Sequence, residues 1–451
     1  MKPRILDDAL LANLAREHGT PLWVYDARTI EARIAGLTAG SSQGARTGFD
    51  VVRYAMKANS NLAILRLVKR CGALVEAVSA GEIARALAAG FAPAEVLFTA
   101  DLFDRAALEW IGRHGIAVNL GSPSMIEQYG ERFPGRAITL RINPGFGHGH
   151  GPKVNTGGET SKHGIWHDHL ERSLERARHH GLRVTGLHVH IGSGSDFENL
   201  TRVCDAMVAL SSVAARDLES ISAGGGLPIP YRDDEPAFDV ARFRAAWVDA
   251  RARIEREIGR RLRVEVEPGR YVVAEAGCLL TEVRGTKTSG SYDYVMVDAG
   301  FHNLLRPALY GAYHQITQVG AAATAPTRPK VVAGPLCESA DVFTRAPDGT
   351  LAPEPLPDVA IGDLLCIHDT GAYGAAMSSN YNSQPFAAEV LVDGDGARLV
   401  RPRQTIEELL APERGLERAQ PTTGMPTTSM PTLGKPTPSK PVQDMPTGDT
   451  P

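Results

Sequence analysis

The stretch VVRYAMKANSN, residues 51–61, joins an apolar strand to a lysine. Four of its first six residues are apolar, namely Val51, Val52, Ala55 and Met56, which is typical of a strand buried inside a parallel sheet. Lys57 follows directly, and the chain then becomes polar. Because a buried ammonium group is unfavourable unless something uses it, this position predicts a chemical role for Lys57.

The same rhythm of apolar run, polar or glycine-rich turn and helix-like segment recurs through the first half of the chain. The predicted strands number eight and cover residues 51–55, 73–78, 96–99, 116–120, 137–142, 184–190, 220–223 and 263–267. Eight strands alternating with helices predict a (β/α)8 TIM-like barrel of the α/β class. A doubly wound open sheet shares the rhythm, but the strand count and the polar groups at the strand ends favour the barrel.

After about residue 278 the pattern changes, and strand-like runs follow one another with few helices between them. This change predicts a mainly β C-terminal domain. The strand-like segment TPLWVYDA, residues 20–27, precedes the barrel and is expected to pair with that domain. The predicted division is a barrel over residues 28–278, a β-rich domain over 1–27 and 279–411, and a tail over 412–451.

The tail differs in kind from the rest of the chain. Proline recurs every five residues from Pro421 to Pro451 and is usually followed by threonine. Such a segment cannot form a packed core, so it is expected to be disordered and polyproline-like. It could act as a linker or a docking tail, and a dispensable extension is the simpler interpretation.

Composition excludes several classes of protein. Lys plus Arg total 48 and Asp plus Glu total 52, so the formal net charge is −4, which argues against a general nucleic-acid binder or a membrane-surface protein. The start of the chain resembles no secretion signal, and no apolar run approaches the ~20 residues of a membrane helix. The five cysteines are odd in number and scattered, which favours a reducing cytoplasm over a disulfide framework.

Polar and glycine residues follow several of the predicted strands. They include Lys57 after the first strand, Arg141 and Asn143 at the fifth, His190 and Ser193 at the sixth, Gly224, Gly225 and Gly226 at the seventh, and Glu267 and Arg270 at the eighth. In a barrel of this type, the carboxyl ends of the strands carry the chemistry. Three consecutive glycines allow backbone N–H groups to approach a phosphate, helped by the N-terminus of the next helix. A simple turn between strand and helix remains the alternative for the glycines.

Together these groups suggest a cofactor. A desolvated lysine forms a Schiff base with an aldehyde, a phosphate site anchors the carrier of that aldehyde, and a carboxylate such as Glu267 keeps a pyridine nitrogen protonated. This combination describes pyridoxal 5'-phosphate bound to a barrel.

The motif GFGHGHG, residues 145–151, invites an interpretation as a metal site. No carboxylate lies at ligand spacing from its histidines, and histidines flanked by glycine are common in loops. We therefore expect no metal.

Long ordered motifs resemble one known family, the fold-type III, alanine-racemase-like pyridoxal-phosphate decarboxylases, and within it the diaminopimelate decarboxylases. The resemblance runs from about Thr20 to Leu410. The motifs are YAMKANSN (54–61), VSAGEIARAL (78–87), RINPGFGHGHGPKVNTGGETSKHGIW (141–166), LHVHIGSG (187–194), SAGGGLPIPY (222–231), EPGR (267–270), VDAGFHNLLRPALYGAYH (297–314), GPLCESADVF (334–343) and GDLLCIHDTGAYGAAMSSNYNSQP (362–385).

The resemblance implies a role for each matching residue. Lys57 and Cys337 would be catalytic, with Cys337 as candidate proton donor and Lys57 as the alternative. The cofactor would be bound by Lys57, His190, Ser193, Gly224, Gly225, Gly226, Glu267, Pro268, Gly269, Arg270 and Tyr373. The substrate would be bound by Arg270, Arg306, Tyr310, Glu338 and Tyr373, and Cys337 and Glu338 would reach the site from the partner subunit of a homodimer.

The implied reaction is decarboxylation of meso-2,6-diaminopimelate at its D centre, which gives L-lysine and carbon dioxide. A decarboxylase of ornithine, arginine or lysine is an alternative, but those substrates lack the distal carboxylate that Arg306 and Tyr310 would bind. A racemase on the same fold and a non-catalytic protein that binds pyridoxal phosphate are further alternatives. The chain departs from the family at Ala340, where glycine is usual, and at His302 and Asn303, where asparagine and aspartate are expected.

Overall fold

The computed structural model describes residues 6–40, 46–147, 155–193, 196–322, 324–394 and 396–414. Within these residues the chain forms two β-sheets. In chain order the strands are β1 (Leu22–Asp26), β2 (Val51–Ala55), β3 (Leu74–Ala77), β4 (Val96–Ala100), β5 (Ala117–Leu120), β6 (Ala137–Asn143), β7 (Ile165–Trp166), β8 (Arg183–Val189), β9 (Ser220–Ser222), β10 (Arg263–Val266), β11 (Gly277–Ser289), β12 (Tyr292–Val297), β13 (Ile316–Gln318), β14 (Thr327–Ala333), β15 (Glu354–Pro357), β16 (Leu364–Ile367), β17 (Ala388–Asp393) and β18 (Gly396–Arg401).

The helices of the described residues mostly follow the strands of the first sheet. They are α1 (Asp8–His18), α2 (Ala27–Thr38), α3 (Leu62–Arg70), α4 (Ala80–Ala88), α5 (Arg105–His114), α6 (Pro123–Arg132), α7 (Leu170–His179), α8 (Phe197–Val213), α9 (Val240–Ile258), α10 (Arg270–Val273), α11 (Arg306–Tyr310) and α12 (Ile406–Leu410). Several begin at a side chain that caps the first turn; Asn61, for example, accepts a hydrogen bond from the N–H of Ala63 at the start of α3.

The first sheet is a closed barrel of eight parallel strands. Strands β5, β4, β3, β2, β10, β9, β8 and β6 are neighbours in that order, and β6 pairs with β5 to close the ring, with β7 added beside β6. The barrel predicted from the sequence is therefore confirmed, and the open-sheet alternative is wrong. The strands are largely buried, and their two faces differ: apolar side chains such as Val52 and Tyr54 alternate with inward-facing residues that include the ion pair of Arg53 and Glu265.

The second sheet is mainly antiparallel and contains the early strand β1. Its order is β15-β14-β12-β11-β1-β17-β18; in addition, β16 pairs with β11, and β13 pairs with β16. Strand β1 lies between β11 and β17, with Leu22 opposite Leu280 and Ala388. The second, mainly β domain predicted from the sequence is thus confirmed, although its predicted boundaries at residues 28 and 278 remain predictions.

Residues up to Thr405 form one compact unit, so the barrel and the second sheet contact each other extensively. Helix α12 belongs to a separate unit that begins at Ile406. The Pro-Thr repeat from Pro421 lies outside the described residues. Of the helices in the described part of the chain, none has the length and hydrophobicity needed to cross a membrane.

Candidate active site

A pocket of about 890 Å³ opens at the carboxyl ends of the barrel strands. Residues from six barrel strands or the turns after them line it, and so do residues of the second sheet's loops. Of the predicted site residues, the pocket wall includes Lys57, His190, Ser193, Gly225, Gly226, Glu267, Gly269, Arg270, Arg306, Tyr310 and Tyr373. Residues far apart in the sequence are therefore brought together where the barrel fold predicts the chemistry.

Lys57 lies in a single 3-10 turn, Met56–Ala58, that follows β2. Its neighbours Met56 and Ala58 are fully buried, which anchors the turn. The peptide N–H of Tyr373 donates to the carbonyl of Ala58 at 2.8 Å, so a loop of the second sheet clamps the same turn. The first barrel strand ends at Ala55, as predicted, but the expected burial of Lys57 is wrong, because its side chain is exposed in the open pocket.

The three glycines allow three segments of backbone to pack against one another. A Cβ atom on Gly225 would lie 2.4 Å from the carbonyl oxygen of Glu267, and one on Gly226 would lie 2.2 Å from that of Gly192. Gly225 and Gly226 line the pocket, and their N–H groups have no acceptor among the described residues. The N-terminus of the next helix was expected to assist the glycines in binding a phosphate. This is wrong, because α9 begins only at Val240.

Arg270 and Ser193 lie beside these glycines. The guanidinium of Arg270 is buried and donates to Ser193 Oγ at 2.9 Å and to Tyr231 Oη at 2.5 Å. Its central carbon lies 5.2 Å from the centre of the Tyr373 ring. The result is a rigid cation next to two free peptide N–H groups, an arrangement suited to a phosphate or a carboxylate.

Glu267 is the buried carboxylate of the site. Its Oε2 atom lies 2.7 Å from His188 Nε2, and its Oε1 atom accepts a hydrogen bond from Ser222 Oγ at 2.9 Å. Burial alone would raise the pKa of Glu267, but the neighbouring His188 and the hydrogen bond from Ser222 hold this pKa below its ordinary value. Glu267 is therefore a carboxylate that stays ionised inside the barrel.

Two further titratable groups lie beside it. Burial raises the pKa of Glu76, on β3, to about 7, and the nearby charge of Glu267 acts in the same direction. Burial, followed by the charges of Arg141 and Lys57, holds the pKa of His190 well below its ordinary value. The imidazole of His190 is thus neutral near pH 7, as suits a ring that stacks on an aromatic ligand.

Arg306 supplies a second buried cation in the pocket. Its side chain is 5% exposed, as is that of Arg270, and both lie near the ring of Tyr231. Neither arginine forms an ion pair with a carboxylate in the part of the chain that the structure describes. Buried charges are normally paired, so this pair of arginines indicates a site for an anionic ligand.

Cys337 and Glu338 are not part of this wall. Both are exposed on a loop of the second sheet, where the N–H of Cys337 donates to Asn382 Oδ1 at 2.9 Å. Gly224 and Pro268 lie behind the pocket surface, where Gly224 accepts from the N–H of Glu267 and Pro268 accepts from that of Ala55. Their predicted contacts with cofactor or substrate remain predictions.

Comparison with known proteins agrees with this geometry. Residues 42–274 match the family described as "Pyridoxal-dependent decarboxylase, pyridoxal binding domain". The diaminopimelate decarboxylase of Streptomyces coelicolor is 52% identical over 418 residues, which cover 91% of this chain and 93% of that protein.

Solved structures lead to the same family. A crystal structure of diaminopimelate decarboxylase superposes with a TM-score of 0.85 at 50% identity and covers 89% of this chain and 96% of that one. The Helicobacter pylori diaminopimelate decarboxylase complexed with L-lysine has a TM-score of 0.80 at 29% identity, with coverage of 89% and 99%. The chain belongs to the pyridoxal-dependent decarboxylases.

For a pyridoxal-dependent decarboxylase, the residues present fit the cofactor. Two unpaired N–H groups at Gly225 and Gly226, next to Ser193 and Arg270, suit its phosphate, and the ionised Glu267 suits its ring nitrogen. Lys57, the predicted source of the amine, lines the same pocket.

Sequence reasoning assigned no specific function to four residues of this decarboxylase pocket, namely Glu76, Arg141, His188 and Tyr231, or to His314, which contacts Arg306. A signal existed for two of them. Glu76 is the only charged residue in the run ALVEAV, and His188 shares a strand face with His190 two positions later. The departures His302 and Asn303 are buried but do not line the pocket.

Proposed function

We propose that this chain is a pyridoxal-phosphate-dependent carboxy-lyase that decarboxylates meso-2,6-diaminopimelate at its D centre, releasing L-lysine and carbon dioxide in the last step of lysine biosynthesis. The observation that carries the substrate assignment is the pair of buried, unpaired arginines, Arg270 and Arg306, in the pocket that contains Lys57. The name shared by its relatives at up to 52% identity supports the same substrate.

Each part of the pocket has a distinct task in this reaction. When bound, pyridoxal phosphate supplies the aldehyde that joins the Lys57 amine and the ring that withdraws electrons from the breaking bond. Gly225, Gly226 and Ser193 hold the phosphate, His190 packs on the ring, and Glu267 keeps the ring nitrogen protonated.

The charges of the pocket also position the substrate. Arg306, Tyr310 and Arg270 bind the carboxylate that the product retains, because a planar guanidinium can donate two parallel hydrogen bonds to it. Ornithine and similar diamino acids lack this group and would leave the buried Arg306 without a carboxylate partner. Substrates with a distal carboxylate are therefore favoured over basic amino acids.

The remaining two residues come from a second copy of this chain. Cys337 and Glu338 are exposed and lie off the pocket of their own chain, which supports a homodimer in which each subunit completes the other's site. Glu338 would accept from the distal ammonium group, and Cys337 would deliver the proton that replaces the lost carboxyl. All five cysteines are free thiols, which supports a cytoplasmic location.

The proposed function is tested by measuring carbon dioxide release and the visible absorption spectrum of the same purified protein. The purified protein, loaded with pyridoxal phosphate, is expected to absorb visible light and to release carbon dioxide from meso-diaminopimelate at least about a hundredfold more efficiently than from ornithine, since unpaired buried polar groups penalise the wrong substrate strongly. Lys57→Ala is expected to abolish both the lysine-linked absorbance and turnover. Retained turnover with an intact chromophore would exclude the role of Lys57, and equal use of ornithine would exclude the proposed substrate.

A further inference from the structure

His314 contacts the buried arginine of the substrate pocket from behind. It lies in the segment between α11 and β13 and is 4% exposed. Its Nδ1 atom is 2.8 Å from the carbonyl oxygen of His368, and its Nε2 atom is 2.7 Å from Arg306 Nη1. Both ring nitrogens are therefore engaged.

These two partners fix the protonation of the ring. A carbonyl oxygen can only accept a hydrogen bond, so Nδ1 of His314 carries the proton. A guanidinium can only donate, so Nε2 presents its lone pair to Arg306. Burial, followed by the charge of Arg306, also holds the pKa of His314 well below its ordinary value, which agrees with a neutral ring.

Because His314 is a neutral acceptor, Arg306 keeps its positive charge, which an acidic acceptor would cancel. An aspartate or glutamate at this place would neutralise Arg306 and compete with the carboxylate of a ligand for its N–H groups. The imidazole uses one N–H group and leaves the full positive charge for the pocket. Tyr231 restricts the same guanidinium from another side, since its ring centre is 5.0 Å from the central carbon of Arg306.

We propose that His314 is a positioning residue that sets the plane of the Arg306 guanidinium for the distal carboxylate, and so contributes to the choice of substrate. The inference rests on the proposed function, because it concerns the same carboxylate. His314 itself touches Arg306 and not the ligand, and it does not line the pocket.

Two matched variants test the proposal in the cofactor-loaded protein. His314→Asn keeps a donor for the His368 carbonyl but is too short to reach Arg306, whereas His314→Gln places an amide oxygen near the position of Nε2. A lost hydrogen bond to a charged group corresponds to roughly a tenfold to hundredfold loss of binding. His314→Asn is therefore expected to raise both the KM for meso-diaminopimelate and the inhibition constant of L-lysine by at least about tenfold, while kcat changes by less than about threefold.

His314→Gln is expected to recover most of this loss. The control is His368→Gln, which changes a neighbouring side chain that bonds Thr317 and leaves the His368 carbonyl in place. It is expected to leave both constants within about twofold of wild type, as is usual for a change that removes no contact of the site. The affinity for pyridoxal phosphate, followed by absorbance, is expected to be the same in all variants.

The experiment distinguishes a failure of the positioning role of His314 from a failure of the proposed function. If wild-type protein releases no carbon dioxide from diaminopimelate, the proposed function fails, and calorimetric binding of L-lysine to wild type and to His314→Asn still decides the role of His314. If wild type is active and His314→Asn keeps its KM and its inhibition constant, the positioning role is overturned. A fall in kcat and cofactor affinity with an unchanged inhibition constant overturns it as well. If His314→Asn does not fold, His314→Leu, which also lacks an acceptor, takes its place.

Discussion

Glu76 illustrates how a single buried carboxyl couples the site to pH. Burial raises its pKa to about 7, whereas an unfolded chain would ionise it near its ordinary value. Between these two values the folded state holds a proton that the unfolded state has released. The contribution of Glu76 to the free energy of unfolding is therefore fully present at low pH and is lost as the pH rises toward 7.

Glu76→Gln is expected to remove this dependence, because the amide resembles the protonated acid and has no proton to lose. The variant should gain stability relative to wild type as pH rises from 5 to 8, by at most about 3 kcal/mol. Thermal unfolding at the two pH values measures the gain. As a control, Glu219→Gln changes an exposed carboxylate that lies 3.8 Å from Arg183 and should show no such trend. A difference between Glu76→Gln and wild type that is independent of pH would contradict the assignment.

Individual residues were predictable from the sequence where they interrupt a pattern or directly follow a predicted strand. Lys57 interrupts an apolar run and was found, yet its expected burial is wrong because the side chain extends into an open pocket. His314 gave no signal, since its role depends on the Arg306 guanidinium and on a carbonyl 54 residues away. Such contacts follow from the fold and not from local spacing.

In the turn of three glycines, backbone conformation and close packing both favour glycine. Gly226 has a φ of +93°, and a Cβ there would also collide with the carbonyl oxygen of Gly192. Gly259, at the end of α9, has a φ of +71° with open space around it. The two positions therefore differ in packing but share a positive φ.

Gly226→Ala is expected to lose pyridoxal phosphate, because moving the Gly192 segment also moves Ser193 and the free N–H groups. Gly259→Ala should destabilise the fold by about 1 kcal/mol through the left-handed conformation alone and leave cofactor affinity unchanged. Titration of absorbance with pyridoxal phosphate compares the two variants. Equal affinity in both would show that close packing at Gly226 does not shape the phosphate site.

Secondary structure was predictable where strands alternate with helices in sequence. The predicted ends of all eight barrel strands lie within one residue of the observed ends, since each strand is a short apolar run bounded by a turn. The order of the second sheet could not be read from the sequence, because β1 pairs with β11 and β17, more than 250 residues away. Helix α1 was missed although Asp7 caps it and Leu11, Leu14 and Ala15 bury one face.

At the scale of the molecule, the two sheets meet at the Lys57 turn. Asn59 donates to the carbonyl of Gly371 at 3.2 Å, and the N–H of Tyr373 donates to Ala58. The same loop brings Tyr373 to the pocket and Arg270. The second sheet therefore completes the barrel site within one chain and presents Cys337 and Glu338 on an exposed loop.

Mixing two inactive variants tests whether that loop completes a second subunit. Lys57→Ala removes the cofactor amine from the pocket, and Cys337→Ala removes the proposed proton donor from the exposed loop. In a homodimer with shared sites, each mixed dimer has one site with both changes and one site with neither. Random exchange makes half of the dimers mixed, so activity should recover to about a quarter of wild type.

The recovery is measured as carbon dioxide release after the two variants, each with its own affinity tag, are unfolded and refolded together. A refolded single variant should stay inactive, and a mixture that has not exchanged subunits should also stay inactive. If doubly tagged dimers form and remain inactive, Lys57 and Cys337 of one site belong to the same chain. Because the described pocket contains Lys57 without Cys337, that result would require the loop to close onto its own barrel, a movement that the hydrogen bond from Cys337 to Asn382 opposes.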